Sequence, residues 1–190
     1  FYGNSKNNYF SENSQIKPTT PYAVAKAAGY WLVKIFRENY DLYACSGILF
    51  NHESPLRSNQ FVTKKIVNTS KLMINNKKLI LKLGDINIYR DWGWTAEYVE
   101  AMWLMLQQQK PVDLVIGSGK KNSLREFVKQ VFKLLKIPMS RLKYNKKKFK
   151  RVNDIKSYRA DIRLARKILK WRPKINFKKI VYKLVNEELY

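Results

Sequence analysis

Cysteine is nearly absent from this chain of 190 residues. Cys45 is the single one, which excludes a disulfide framework and any zinc centre built on several thiolates. No stretch approaches the ~20 consecutive apolar residues that cross a bilayer. No charged-then-apolar signal segment opens the chain, so a cytoplasmic location is expected. The first residue is Phe1 rather than Met, which reads as a fragment or a processed product. Acidic residues are also scarce, at 14 against 38 lysines and arginines. The apolar content is ample: 45% hydrophobic and 14% aromatic residues are too many for a disordered chain. The length suits one ordinary domain or about one and a half small ones.

The net charge of +24 suits nucleic acid, an acidic membrane surface or a small phosphorylated substrate. Two features turn the expectation away from nucleic acid and membrane. The lysines are spread along the whole chain, densest at 143–150 and again up to Lys183. No helix-turn-helix, zinc finger or RNA-binding aromatic signature accompanies them.

Residues 4–21 read as a loop with Pro18 and Pro21. A helix is expected over 22–40, capped by Thr19 or Thr20, with Pro21 in its first turn. The apolar run 42–50 reads as a strand buried on both faces of a parallel sheet, and 51–60 as the polar loop after it. A helix at 61–74, a strand at 79–83, a helix at 95–109 and a strand at 113–116 follow. Met102 to Leu106 are expected in the core. Ser123 and Glu126 form a capping box for a helix reaching about Lys136. The basic stretch 141–157 has no clear pattern, and helices at 158–170 and 177–189 close the chain. Helices alternating with short apolar runs predict an α/β fold with a largely parallel sheet.

Tyr22 and Lys26 stand four apart at the start of a helix and so share one face. A phenol ionises near pH ~10, and a neighbouring ammonium favours the phenolate. Such a pair serves hydride transfer, with the Tyr moving the alcohol proton. It also occurs on ordinary amphipathic helices. Taken alone, His52 reads as a structural histidine, and Arg57, Lys65 and Arg90 as solvated surface charges. Position favours His52, just beyond the carboxyl end of a strand, where ligands collect in α/β sheets. Arg90 beside Asp91 and Trp92 offers a fork of donors that suits a diphosphate. Gly117-Ser118-Gly119 reads as a strand-end turn rather than a phosphate loop.

Read together, Thr20-Pro-Tyr-Ala-Val-Ala-Lys26, Asn51-His-Glu-Ser-Pro55, Arg90-Asp-Trp-Gly93 and the run 97–108 resemble the GDP-mannose 4,6-dehydratases, which are extended short-chain dehydrogenases/reductases. The likeness is dense from Gly3 to about Phe132 and thinner to the end, where Asp161, Ala165 and Leu169-Lys-Trp-Arg-Pro173 match a closing helix and turn. The resemblance implies a partial Rossmann-type, NADP-binding parallel sheet with a small α/β carboxyl-terminal substrate domain. It assigns 1–60 and part of 85–119 to the former, whose amino-terminal half would be absent, and 61–84 with 120–190 to the GDP-sugar domain. By the same resemblance Tyr22 is the catalytic base and Lys26 its tuning partner on the nicotinamide ribose. His52 and Arg57 would contact NADP. Asn51, Lys65 and Arg90 would bind substrate near the diphosphate, and Arg151 and Asp154 would sit around the GDP moiety.

The implied reaction converts GDP-mannose to GDP-4-keto-6-deoxymannose in a homo-oligomer, on the way to GDP-fucose or related sugars. The family's Glu base would fall immediately before Phe1, and the Gly-rich turn further upstream. Other readings are another nucleotide-sugar dehydratase or epimerase, and a non-catalytic basic nucleic-acid-binding derivative of the scaffold. The chain departs from the family's pattern at 18–20, at Leu56, at Ser58-Asn59, at Trp94-Thr95 and over 137–150.

Overall fold

The computed structural model describes residues 1–3, 9–145 and 155–189. Strand β1 is Tyr9–Phe10, helix α1 Pro21–Tyr40, β2 Gly47–Leu49, β3 Asn51–Glu53, α2 Val62–Asn75, β4 Leu81–Leu83, β5 Tyr89–Arg90 and β6 Trp92–Trp94. Then come α3 Thr95–Leu106, β7 Leu114–Ile116, β8 Asn122–Ser123, α4 Leu124–Leu134, β9 Leu142–Tyr144, β10 Arg159–Ala160, α5 Arg163–Leu169 and α6 Phe177–Asn186. Pairs β1–β10, β2–β7, β3–β6 and β4–β9 are parallel, and β5–β8 is antiparallel. The α/β expectation with mostly parallel pairing is what the chain forms.

Thr20 is the residue that caps α1, its hydroxyl accepting from the Ala23 amide at 3.2 Å. At the other end Asp41 stops the helix in the left-handed region, at φ 50°. The strand expected over 42–50 is confined to Gly47–Leu49. The reason lies in side chains that take the preceding backbone groups. Arg37 donates to the Ala44 carbonyl at 3.0 Å, and Asp113 accepts from the Ser46 amide at 2.7 Å. Arg37 and Asp113 are themselves joined by two bonds of 2.9 and 3.0 Å.

The polar stretch beyond it, expected as loop, begins with a strand. Strand β2 follows β7 as far as Phe50, whose amide still donates to the Ile116 carbonyl at 2.9 Å. From Asn51 the chain changes partner and runs with β6 instead. Two sheet ladders therefore part company at Phe50.

Three apolar clusters hold these elements. The largest joins α2, α4 and α6 over β4 and β6, through Ile66, Met73, Leu81, Trp92, Trp94, Phe127, Phe132 and Ile180. Each of these contributes about 1.5–3 kcal/mol by leaving water. A second joins α3, β7 and α5 through Tyr98, Met105, Ile116, Leu169 and Trp171. A third packs Tyr2, Phe10, Phe50, Val115, Ala160 and Ile162. Helix α3 presents Tyr98, Ala101 and Met105 inward, at helical spacing. The expected burial of the whole run from Met102 is therefore corrected, because Trp103 and Leu106 fall on the outer face and stand 60% and 58% exposed. The closing helix starts later than expected, at Arg163. The Ala160 amide is held by Asp91 and the Asp161 amide by the Phe10 carbonyl, so that segment is a strand first.

Candidate functional site

The parting of the two ladders at Phe50 collects polar side chains. Register pairs Asn51 with Trp92, His52 with Gly93 and Glu53 with Trp94. The His52 ring places Nδ1 3.0 Å from the Phe50 carbonyl. A carbonyl only accepts, so Nδ1 carries a proton, and in the neutral ring Nε2 is then an acceptor. The ring lies 5.2 Å from that of Tyr98. Tyr98 passes under Gly93 so closely that a β-carbon there would meet the Tyr98 ring at 2.3 Å, and its hydroxyl points to the Asn51 carbonyl at 3.4 Å. Burial pushes the Tyr98 phenol well up, so it acts as a donor and not as a base.

Arg57 is fastened on three sides. It donates to the His52 carbonyl at 2.9 Å, pairs with Glu53 at 3.3 Å and lies over the Phe61 ring at 3.8 Å. Glu53 is almost fully buried, and burial raises its carboxyl to about 7 against the opposing pull of Arg57 and of Thr63. Thr63 donates to Glu53 at 2.8 Å.

Arg90 reaches the same corner from β5. Its Nη1 donates to the Tyr89 carbonyl at 2.8 Å and to the Ile155 carbonyl at 2.7 Å. Its guanidinium lies 4.8 Å over the ring of Tyr158, and the Tyr158 hydroxyl donates to Asn51 Oδ1. Next to it, Asp91 is fully buried and turned the other way. Its carboxylate accepts from the Ser118 amide at 2.7 Å, the Ser118 hydroxyl at 2.6 Å, the Gly119 amide at 2.9 Å and the Ala160 amide at 3.0 Å. Burial raises the Asp91 carboxyl, opposed by those donors. The turn at Gly117–Gly119 thus gives its amides to an internal carboxylate, with Gly119 in the left-handed region at φ +69°.

Asn51, His52, Arg57 and Arg90 are therefore brought together. Tyr22 and Lys26 meet each other, with the ammonium 5.6 Å from the ring centroid and Tyr22 73% exposed on the outer face of α1. Lys65 is exposed on α2 and lines a groove of about 350 Å³ with Thr69, Lys78, Leu79 and Lys82, none of them part of the Asn51 corner. Arg151 and Asp154 lie outside the described residues. Sequence reasoning gives no role to Tyr158, Tyr98, Glu53 or Thr63. Glu53 stands inside the Asn51–Pro55 motif. Tyr158 carries no local signal at all. Among the described residues no group of three or more His, Cys, Asp or Glu side chains gathers to hold a metal, and no helix is long and apolar enough to cross a membrane.

A family model described as GDP-mannose 4,6 dehydratase matches residues 1–184. The chain is 41% identical over 196 residues to the GDP-mannose 4,6 dehydratase of Dictyostelium discoideum, covering 94% of this chain and 55% of that protein. It is 40% identical over 179 residues to GDP-mannose 4,6 dehydratase 1 of Arabidopsis thaliana, covering 94% and 50%. The chain thus spans about half the length of the curated relatives it matches. Among solved structures, a dTDP-glucose 4,6-dehydratase from Bacillus anthracis in complex with NAD superposes with a TM-score of 0.86 at 20% identity, over 98% of this chain and 58% of that one. RMD from Pseudomonas aeruginosa complexed with NADPH gives 0.86 at 19% identity, over 99% and 63%. The fold is that of the Rossmann-type dehydratases.

Proposed function

The chain belongs to the GDP-mannose 4,6 dehydratase family, and on that premise we propose that it forms the carboxyl-terminal part of an enzyme converting GDP-mannose to GDP-4-keto-6-deoxymannose and water. One observation carries the reading. The two motifs that define the resemblance, Asn51–Pro55 and Arg90–Gly93, are distant in sequence but meet side by side, Asn51 paired with Trp92 and His52 with Gly93, with polar residues gathered where two ladders part. Crevices of that kind, beyond the ends of parallel strands, are where α/β proteins take nucleotides.

The residues present fit a nicotinamide cofactor. Tyr22 and Lys26 stand accessible on one helical face, and His52 is locked with an acceptor nitrogen left over. In the proposal Tyr22 and Lys26 meet the nicotinamide end of NADP, and His52 and Arg57 meet it further along. When bound there, the cofactor would supply the acceptor for a hydride from C4 of the mannose and its donor at C6. Tyr22 takes the O4 proton, with the Lys26 ammonium beside its ring on the same helical face. The resulting ketone acidifies the C5 proton, whose removal expels the C6 hydroxyl as water.

Asn51 and Arg90 are assigned to the GDP-sugar at the corner, and Lys65, which lines a separate groove on α2, to the same ligand on the resemblance alone, with Arg151 and Asp154 around the GDP moiety. Packing of Ile66, Phe127, Phe132 and Ile180 in one core and of Tyr98, Ile116 and Leu169 in another supports a substrate unit beside a cofactor unit. Membership of α5 in the second core supports placing 163–171 with the cofactor unit. A cytoplasmic homo-oligomer completes the proposal.

The test is Tyr22→Phe in the enzyme. Turnover is expected to fall by about 10²–10⁴-fold, with GDP-mannose affinity unchanged. Retained turnover in that variant overturns the assignment of Tyr22 as the base.

A further inference from the structure

We propose that Tyr158 is a positioning residue for the diphosphate of the ligand, holding Asn51 and Arg90 in the geometry that receives it. The inference rests on the GDP-sugar reading above and adds to it a residue that the motifs do not contain.

Four observations converge on Tyr158. Its ring is gripped rather than merely exposed: Phe50 meets it edge-on at 5.6 Å, and the Arg90 guanidinium lies over it at 4.8 Å. A guanidinium over an aromatic face is attracted by the ring quadrupole, which fixes its plane, and Nη1 is held by the Tyr89 and Ile155 carbonyls. Its hydroxyl engages Oδ1 of Asn51. That sets the amide's rotation and leaves the Nδ2 hydrogens as the donors that Asn51 can turn to a ligand. The segment carrying Tyr158 is stapled at both ends by the β5–β6 region. The Tyr89 amide donates to the Lys156 carbonyl at 2.8 Å, Arg90 to the Ile155 carbonyl at 2.7 Å, and the Ala160 amide to Asp91 at 3.0 Å.

These restraints give the ring no freedom to follow a ligand, which is the property a positioning group needs. The chemistry it prepares is also specific. A planar cation and an amide donor, both pre-oriented, suit the oxygens of a diphosphate. The positive charge favours the anionic diphosphate over a neutral sugar or base.

Titration of GDP, and separately of guanosine, into the protein and its variants tests the proposal. Tyr158→Phe keeps the ring under Arg90 and removes the hydroxyl. Tyr158→Leu removes both. GDP affinity is expected to fall about 5-fold in the first variant and about 30-fold in the second, the scale of one neutral hydrogen bond and, in the second, one cation–π contact as well. Guanosine, which has no phosphate, is expected to bind all three proteins within about 2-fold, since none of the altered contacts touches it. A local collapse would weaken both ligands together. Equal GDP affinity in all three proteins, or a parallel loss of guanosine, overturns the role assigned to Tyr158. Absence of GDP binding by the unaltered protein overturns the GDP-sugar reading itself and this inference with it.

Discussion

Glu53 shows how far a single buried group can set the behaviour of the site. Burial lifts its carboxyl from 4.5 to about 7, so the folded state binds this proton more tightly than the unfolded one. The stabilisation is then complete below pH 4.5 and is lost as the pH rises towards 7. The loss amounts to about 3 kcal/mol, since each tenfold difference in proton affinity between the two states is worth about 1.4 kcal/mol. Glu53→Gln carries no titrating proton, so its melting temperature is expected to change less between pH 5 and 8 than that of the unaltered protein. Parallel profiles in thermal melts would show that Glu53 is not the source. Residues of this kind explain why the site is only partly legible in the sequence. Tyr22 and Lys26 share a helical face by spacing but are singled out by the motif around them, and Asn51, His52 and Arg90 stand in contiguous motifs. Glu53 and Thr63 escape notice because a pattern reading treats polar as exposed, whereas here the two buried side chains satisfy each other. Tyr158 is invisible for a different reason: its partner Asn51 is 107 positions away.

At the scale of elements, helices are legible because their signals are local. The Ser123–Glu126 capping box is present as the sequence implies, with the Glu126 amide donating to Ser123 Oγ at 3.1 Å and the Ser123 amide to Glu126 Oε2 at 2.8 Å. Ser123→Ala removes the hydroxyl half of that exchange at the start of α4, whose inner residues Phe127, Val128 and Val131 sit in the largest core. The expected cost is about 1 kcal/mol, or a fall of about 2–4 °C in melting temperature for a chain of this size. An unchanged melting temperature would mean that packing alone holds the turn. Strands are harder to see, because three-residue ladders owe their existence to partners elsewhere. Strand β3 is Asn-His-Glu, a sequence with little intrinsic strand preference, and it forms because β6 lies alongside. Conversely 42–46 has the apolar look of a strand but spends its backbone groups on Arg37 and Asp113.

For the molecule as a whole, the charge is the dominant fact. With a net +24 over 190 residues, like charges repel across the folded surface. Described ion pairs such as Arg37–Asp113 and Lys71–Glu187 offset a small part of this. Salt shortens the reach of that repulsion to about 8 Å at 0.15 M, so the melting temperature is expected to rise from low to physiological ionic strength. A flat or falling curve would show that the lysines lie too far apart for their repulsion to matter. The topology has a consequence of another sort, which concerns time. Asn51 meets Tyr158 across 107 positions, and Asp91 meets Ala160 across 69. A ribosome adding about 5–20 residues per second therefore releases the Asn51 corner several seconds before its last wall exists. Strands β3 and β6 can pair during that interval, before the segment carrying Tyr158 arrives. Pairing of β3 with β6 can thus precede by seconds the contact between Asn51 and Tyr158 that completes the corner.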